Sequence, residues 1–330
     1  MTAHDLEERI ARDIGPARID IAYEERGDRD EHPTVLLVMG LAAQLVHWPL
    51  GFLNALVARG LHVVRFDNRD AGRSTHLYDA PLVDLPAALA GDLSSASYTL
   101  SDMAADAVGL LSALDIAAAH VVGVSMGGEI AQTIAIEHPS RVRSLTSIMA
   151  TTGNPSVGQP HPATMRALFG GPPVLTREEV IARAVHSQTI VGSPAFPVDV
   201  DAVAATAGLA YDRAHDEKAI ARQAVAQVAS GDRTERLRAV DVPTLVIHGL
   251  ADTLRVPSGG RATAAAIPGA ELVLVDGMGH NLPPGVWERF AELIAENVRR
   301  GEARAGTVGA DSARTSGARR SSVSGRSGEP

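Results

Sequence analysis

The chain has 330 residues, 45% hydrophobic and 21% charged, with 30 basic against 39 acidic groups for a net charge of −9. This composition supports a sizeable core, excludes wholesale disorder and argues against a nucleic-acid partner, which needs a basic face. There is no cysteine and Lys218 is the only lysine, which excludes disulfide scaffolds, thiolate nucleophiles, Cys-based zinc sites, iron–sulfur clusters and Gly-Lys-Ser/Thr phosphate loops.

Residues 1–12 lack the basic start and apolar run of a secretory signal. No apolar stretch reaches about 18 residues without a charge or helix breaker. A cytoplasmic protein with no membrane span is therefore expected. Arg18 to Glu25 alternates Ile19, Ile21 and Tyr23 with other residues, as in a half-exposed strand. Thr34 to Met39 is a continuous apolar run ending at Gly40, as in a buried parallel strand. His47 to Arg59 reads as a helix stopped by Gly60, and Leu61 to Phe66 as a second buried strand. Leu100 to Leu114 has helical spacing at Met103, Ala107, Leu110, Leu111 and Leu114. His120 to Val124 reads as a strand, Met126 to Glu137 as a helix ending before Pro139, and Val142 to Met149 as a strand. Such repetition predicts a parallel sheet covered by helices on both faces.

The pattern breaks at Thr151. Up to about Arg238 there are many Pro and Gly, with helical stretches near Arg177–Ser187 and Lys218–Ser230 and no clear buried strand. It resumes with strands at Thr244–His248 and Glu271–Val275 and a last helix around Val286–Arg300. An all-helical insertion in a βα sheet accounts for this most simply. Residues 301–330 are rich in Gly, Ser and Arg and hold no aromatic residue. They bury too little apolar surface to order themselves, so a disordered tail is expected.

Gly123-Val124-Ser125-Met126-Gly127 matches G-x-S-x-G between a predicted strand and a predicted helix. A sharp strand-to-helix turn strains the middle residue and needs small residues two positions away on each side. It would present Ser125 at the C-terminal edge of the sheet and at a helix N-terminus, where a developing negative charge is favoured. Alone, these five residues equally fit a glycine-rich turn with Ser125 as helix N-cap.

A serine hydroxyl needs a base within hydrogen-bond reach, and that base needs an orienting carboxylate. In this elbow arrangement the chain order is Ser, acid, His. Asp252 follows the strand Thr244–His248, and His280 follows the strand Glu271–Val275 on a glycine-rich loop. Asp252 also fits an Asx turn leading into Leu254–Pro257, and His280 an idle loop histidine. His248 is expected to face the sheet or its own loop's backbone. Two amides should meet the oxyanion, worth roughly 3–4 kcal/mol each. Met126 supplies one; the loop after Thr34–Met39 supplies the other, from Leu41 with Gly40 close behind.

Several motifs together resemble the α/β-hydrolase superfamily: Val38-Met39-Gly40-Leu41, Arg65-Phe66-Asp67-Asn68-Arg69-Asp70-Ala71-Gly72-Arg73-Ser74, Tyr98 through Asp106, Gly123 through Gly127, His248-Gly249-Leu250-Ala251-Asp252 and Gly279-His280. The Met-Gly dipeptide and Asp-Asn-Arg-Asp run are similar to the aclacinomycin methylesterase-like branch and to actinobacterial carboxylesterases. The resemblance spans roughly residues 15–150 and 240–300. It implies a mostly parallel eight-stranded sheet with helices on both faces, a core of residues 1–150 and 239–300, and a helical cap at 151–238. It also implies Ser125 as nucleophile, Asp252 as acid and His280 as base. Asp67 and Arg69 match an Asp-x-Arg motif that would support the oxyanion loop, as a salt-bridged turn rather than as reacting groups. Epoxide hydrolases and haloalkane dehalogenases share the layout but carry Asp at the nucleophile, so Ser125 argues against both.

The leading expectation is hydrolysis of a carboxylic ester through an acyl-enzyme, with no metal or cofactor. The same triad would also serve thioester cleavage, acyl transfer, perhydrolysis or C–C bond hydrolysis; a non-catalytic ligand-binding protein is the third option. The expected partner is a small-molecule ester. An apolar acyl or aromatic part is suggested by Met165, Leu168, Phe169, Phe196 and Tyr211 within 151–238.

Overall fold

The computed structural model describes residues 7–171 and 174–321. Eight strands form one sheet: β1 (Arg9–Ile14), β2 (Ile19–Arg26), β3 (Thr34–Val38), β4 (His62–Phe66), β5 (Ala119–Val124), β6 (Val142–Ile148), β7 (Thr244–Gly249) and β8 (Glu271–Val275). Their spatial order is β1-β2-β4-β3-β5-β6-β7-β8. The β1–β2 and β2–β4 pairs are antiparallel and the others parallel. Helices α1 (Leu50–Val57), α2 (Leu85–Leu89), α3 (Leu100–Ala113) and α4 (Met126–Glu137) precede β6. Next come α5 (Pro162–Phe169), α6 (Arg177–Val191), α7 (Val200–Arg213), α8 (Glu217–Ala229) and α9 (Thr234–Leu237), then α10 (Ser258–Ala266) and α11 (Trp287–Ser321). Among the described residues, every element between β6 and β7 is helical. No helix among them is long and apolar enough to cross a membrane.

The central strands are rich in apolar residues, β3 most of all, because both faces are covered. In β3, Leu36 and Val38 pack with α3 and α4, while Val35 and Leu37 pack with α1 and α11. Successive side chains point to opposite faces, so each strand feeds both cores. In α11 the buried stripe is Phe290, Ala291, Ile294, Ala295 and Val298, the spacing of one helix face.

The structure departs from the sequence expectations at three places. β1 was not foreseen: its residues are mostly exposed, so an edge strand carrying Arg9, Arg12 and Asp13 has no apolar alternation to reveal it. α7 was not foreseen because Gly208 interrupts it; an added Cβ there would stand 2.5 Å from Arg177, so the glycine marks a close crossing with α6 and not a break. The disordered tail expected from residue 301 is instead a continuation of α11 to Ser321. Its start is tied down: Glu302 meets His120 at 3.1 Å, Arg304 pairs with Asp241, and Gly301 lies against the Arg143 carbonyl. Scarce apolar surface argues against packing, but Ala and Arg favour local helix. Residues 322–330 of that expected tail lie outside the described residues.

His120 sits beneath the sheet between Ser144, Glu302 and Arg143, and burial pushes its pKa down to about 4. An unfolded chain takes up a proton on this residue below about pH 6.5, whereas the folded one resists. Stability is therefore fully present above pH 6.5 and is lost as the pH falls towards 4. For this residue alone the loss is about 2 kcal/mol at pH 5. Urea unfolding at pH 7.5 and pH 5 is expected to show a smaller acid-induced loss for His120→Asn than for wild type; equal losses would disprove it.

Candidate active site

β5 ends at Val124 and α4 begins at Met126, which leaves Ser125 alone to turn the chain. Its φ of 55° and ψ of −125° place a non-glycine residue in strained backbone. The flanking glycines are sterically required. A Cβ on Gly123 would lie 2.0 Å from the Gly127 carbonyl oxygen, and one on Gly127 2.1 Å from that of Val38. The Ser125 side chain makes no N-cap hydrogen bond; its carbonyl instead accepts from Gly128 and Glu129. The hydroxyl oxygen faces His280 Nε2 at 3.0 Å.

Across the ring, His280 Nδ1 meets Asp252 Oδ2 at 2.6 Å. The other oxygen of Asp252 accepts from the amides of Leu254 (2.9 Å) and Arg255 (2.8 Å). The Asx turn and the orienting carboxylate are thus one and the same residue, with one oxygen for each task. Asp252 is buried, so its contact with the imidazole is little screened. The structure therefore brings together Ser125, His280 and Asp252, each on the loop after its strand. His248 turns to its own loop's backbone, with Nε2 2.6 Å from the Arg255 carbonyl, and burial lowers its pKa.

Gly40 brings the loop after β3 against the elbow: a Cβ there would stand 3.1 Å from the Ser125 Cβ. Among the described residues, neither the Leu41 nor the Met126 amide is taken by an acceptor. Both remain available beside Ser125. Met126 is moreover the first residue of α4, where the helix dipole favours negative charge.

The run 67–70 acts as a set of struts. Asp67 accepts from the amides of Leu45 (2.6 Å) and Arg73 (2.9 Å) and pairs with Arg213 of α7. Burial pushes its carboxyl up, and the Leu45 and Arg73 amides oppose that. Asn68 Nδ2 donates to the Met39 carbonyl at 2.9 Å. Arg69 makes a two-pronged pair with buried Asp106 at 2.5 and 2.7 Å. Asp70 pairs with Arg222 of α8 at 2.8 and 2.7 Å and accepts the Tyr98 hydroxyl at 2.9 Å. Asp67 and Arg69 thus form an ion-paired turn that braces the loop after β3.

Helices of the insertion reach the histidine loop too. The His280 amide donates to the Val191 carbonyl at 2.6 Å, and the Gly279 amide to Ser193 Oγ at 2.9 Å. The sequence flags none of Ser193, Arg213, Arg222 or Gln223: the last three lie on helices whose polar residues look like a solvated face, and Ser193 lies in the stretch just after α6. The larger residues singled out in 151–238 do not gather at Ser125. Met165 is exposed, Tyr211 donates to the Leu175 carbonyl and stacks on His215, and Phe196 packs against Gly285. Leu168 is half-buried, and the side chain of Phe169 lies outside the described residues.

Comparison with known proteins agrees with this architecture. Residues 33–284 match the family described as alpha/beta hydrolase fold. Rhodomycin D methylesterase DnrP of Streptomyces peucetius is 31% identical over 297 residues, covering 84% of this chain and 94% of that protein. Rhodomycin D methylesterase DauP of Streptomyces sp. strain C5 is 30% identical over 308 residues, covering 87% and 98%. Among solved structures, the enol-lactonase from Burkholderia xenovorans LB400 superposes with a TM-score of 0.64 at 24% identity, over 88% of this chain and all of that one. Family model, relatives and sheet order agree: the chain belongs to the alpha/beta hydrolase fold family, as a hydrolase of the esterase branch that includes these methylesterases.

Proposed function

We propose that the chain hydrolyses a small-molecule carboxylic ester through an acyl-enzyme formed on Ser125. The observation that carries this reading is the hydrogen-bonded chain from Ser125 Oγ through His280 to Asp252, at 3.0 and 2.6 Å, on a strained elbow. His280 Nε2 takes the hydroxyl proton as Oγ attacks the carbonyl carbon. The Leu41 and Met126 amides, with Gly40 allowing the close approach, meet the oxyanion. His280 returns the proton to the departing alkoxide, and the tetrahedral centre collapses to the Ser125 ester. Water then attacks with His280 as base and frees the acid. Asp252 fixes the tautomer that leaves Nε2 free to accept. Helices α5–α9 are its cap, above the C-terminal edge of the sheet.

The two Streptomyces relatives are named methylesterases, which makes methyl esters the first substrates to try, rhodomycin D among them. Labelling with a fluorescent fluorophosphonate is the direct test. Wild type is expected to label, and Ser125→Ala and His280→Ala are not. Folded wild type that resists the probe, or label persisting on Ser125→Ala, would overturn the reading.

A further inference from the structure

We propose that Gln223, on α8 of the insertion, is a positioning residue for the oxyanion loop. This rests on the assignment of Leu41 as an oxyanion donor. Gln223 is fully buried. Its Oε1 accepts from the Ala42 amide at 3.0 Å, and its Nε2 donates to the Arg69 carbonyl at 2.8 Å. Ala42 follows Leu41 directly and has a φ of 61°, in the left-handed region that alanine avoids. That conformation sets the Leu41–Ala42 peptide, the link next to the one that carries the Leu41 amide, and Gln223 holds its N–H. The Asn68 bond to the Met39 carbonyl fixes one end of the segment. Gln223 fixes the other, and between them lie Gly40 and the Leu41 amide.

Gln223 is itself held firmly. Arg69, whose carbonyl it grips, is paired with Asp106, and its neighbour Arg222 is paired with Asp70. A loop amide that drifts by a fraction of an ångström loses most where charge is concentrated, in the tetrahedral intermediate, and little in the bound ester. Loss of Gln223 therefore acts on kcat and spares KM.

The test uses the full chain and any ester it turns over. Active sites are first titrated with the fluorophosphonate, so that rates refer to folded, labelled molecules. Ser125→Ala is run alongside; if it keeps activity, the nucleophile assignment has failed and not this proposal. Gln223→Met removes the acceptor at similar size and is expected to lower kcat per titrated site by roughly ten- to a hundredfold with KM within threefold. Gln223→Glu keeps an acceptor towards Ala42 and is expected to retain more kcat than Gln223→Met. A boronic acid that mimics the tetrahedral adduct should weaken in step with kcat. Where Gln223→Met does not fold, Gln223→Ser, which admits water, is measured by the same criteria. A fall in kcat below threefold, a loss carried by KM, or a Gln223→Glu as impaired as Gln223→Met overturns the proposal.

Discussion

Ser125→Ala is expected to lower kcat for ester hydrolysis by about 10⁴-fold or more, with KM changed by only a few-fold. The alanine keeps the elbow backbone and the two available amides, so an ester still binds and its carbonyl still finds donors. On the proposed mechanism what vanishes is the covalent route, since among the described residues the hydroxyl that meets His280 Nε2 is that of Ser125. His280→Ala leaves the hydroxyl in place without a proton acceptor and is expected to lose nearly as much. The double variant should be no worse than the weaker single one, since the two groups act as a unit. Steady-state kinetics on one ester for all four proteins decides this. Losses that multiply, or a Ser125→Ala enzyme with more than about a tenth of wild-type kcat, would mean the hydroxyl and imidazole act independently or not at all.

Arg222→Met is expected to be the most destabilising change in the insertion. It strips both guanidinium bonds from Asp70, whose carboxylate then keeps, among the described residues, the Tyr98 hydroxyl and the Leu77 amide as hydrogen-bond donors. Removing one member of a buried ion pair costs about 3–5 kcal/mol, most of it the desolvated charge left behind. Asp70→Asn combined with Arg222→Met removes that charge and should recover part of the loss. Burial already pushes the Tyr98 phenol up, with the Asp70 carboxylate adding to it, so the phenol remains a donor in every variant. Urea midpoints of wild type, both single variants and the double variant form the cycle. A single Arg222→Met costing under about 1 kcal/mol would show that water reaches Asp70.

The parts of this molecule that were legible in the sequence are those where one residue type satisfies a local demand. Strands β3 to β6 announce themselves because burial on both faces favours apolar residues, which outweigh the few buried polar ones such as His62, Arg65, His120 and Ser144. Ser125, Asp252 and His280 stood out because each follows a run rich in apolar residues, now seen as β5, β7 and β8. The struts were not legible. Arg213, Arg222 and Gln223 lie on helices whose polar residues resemble a water-facing surface, and only the fold reveals that they point inward to Asp67, Asp70 and Ala42. The length of α11 was misjudged for a related reason. Composition reports how much surface a segment can bury, not whether three contacts at its base set it off as a helix.

The way the insertion grips the sheet edge bears on how this protein could be re-engineered. Exchanging residues 151–238 for the equivalent stretch of another hydrolase is not a change confined to the insertion. Here such a graft would sever the Val191 and Ser193 bonds to the histidine loop, the Gln44 bonds to the Ala210 and Ala214 carbonyls, and the Gln223 bond to Ala42. A working chimera has to import its own versions of residues 40–45, 67–77 and 277–281 along with the helices. The insertion and the loops it holds thus form, in this chain, one transferable block.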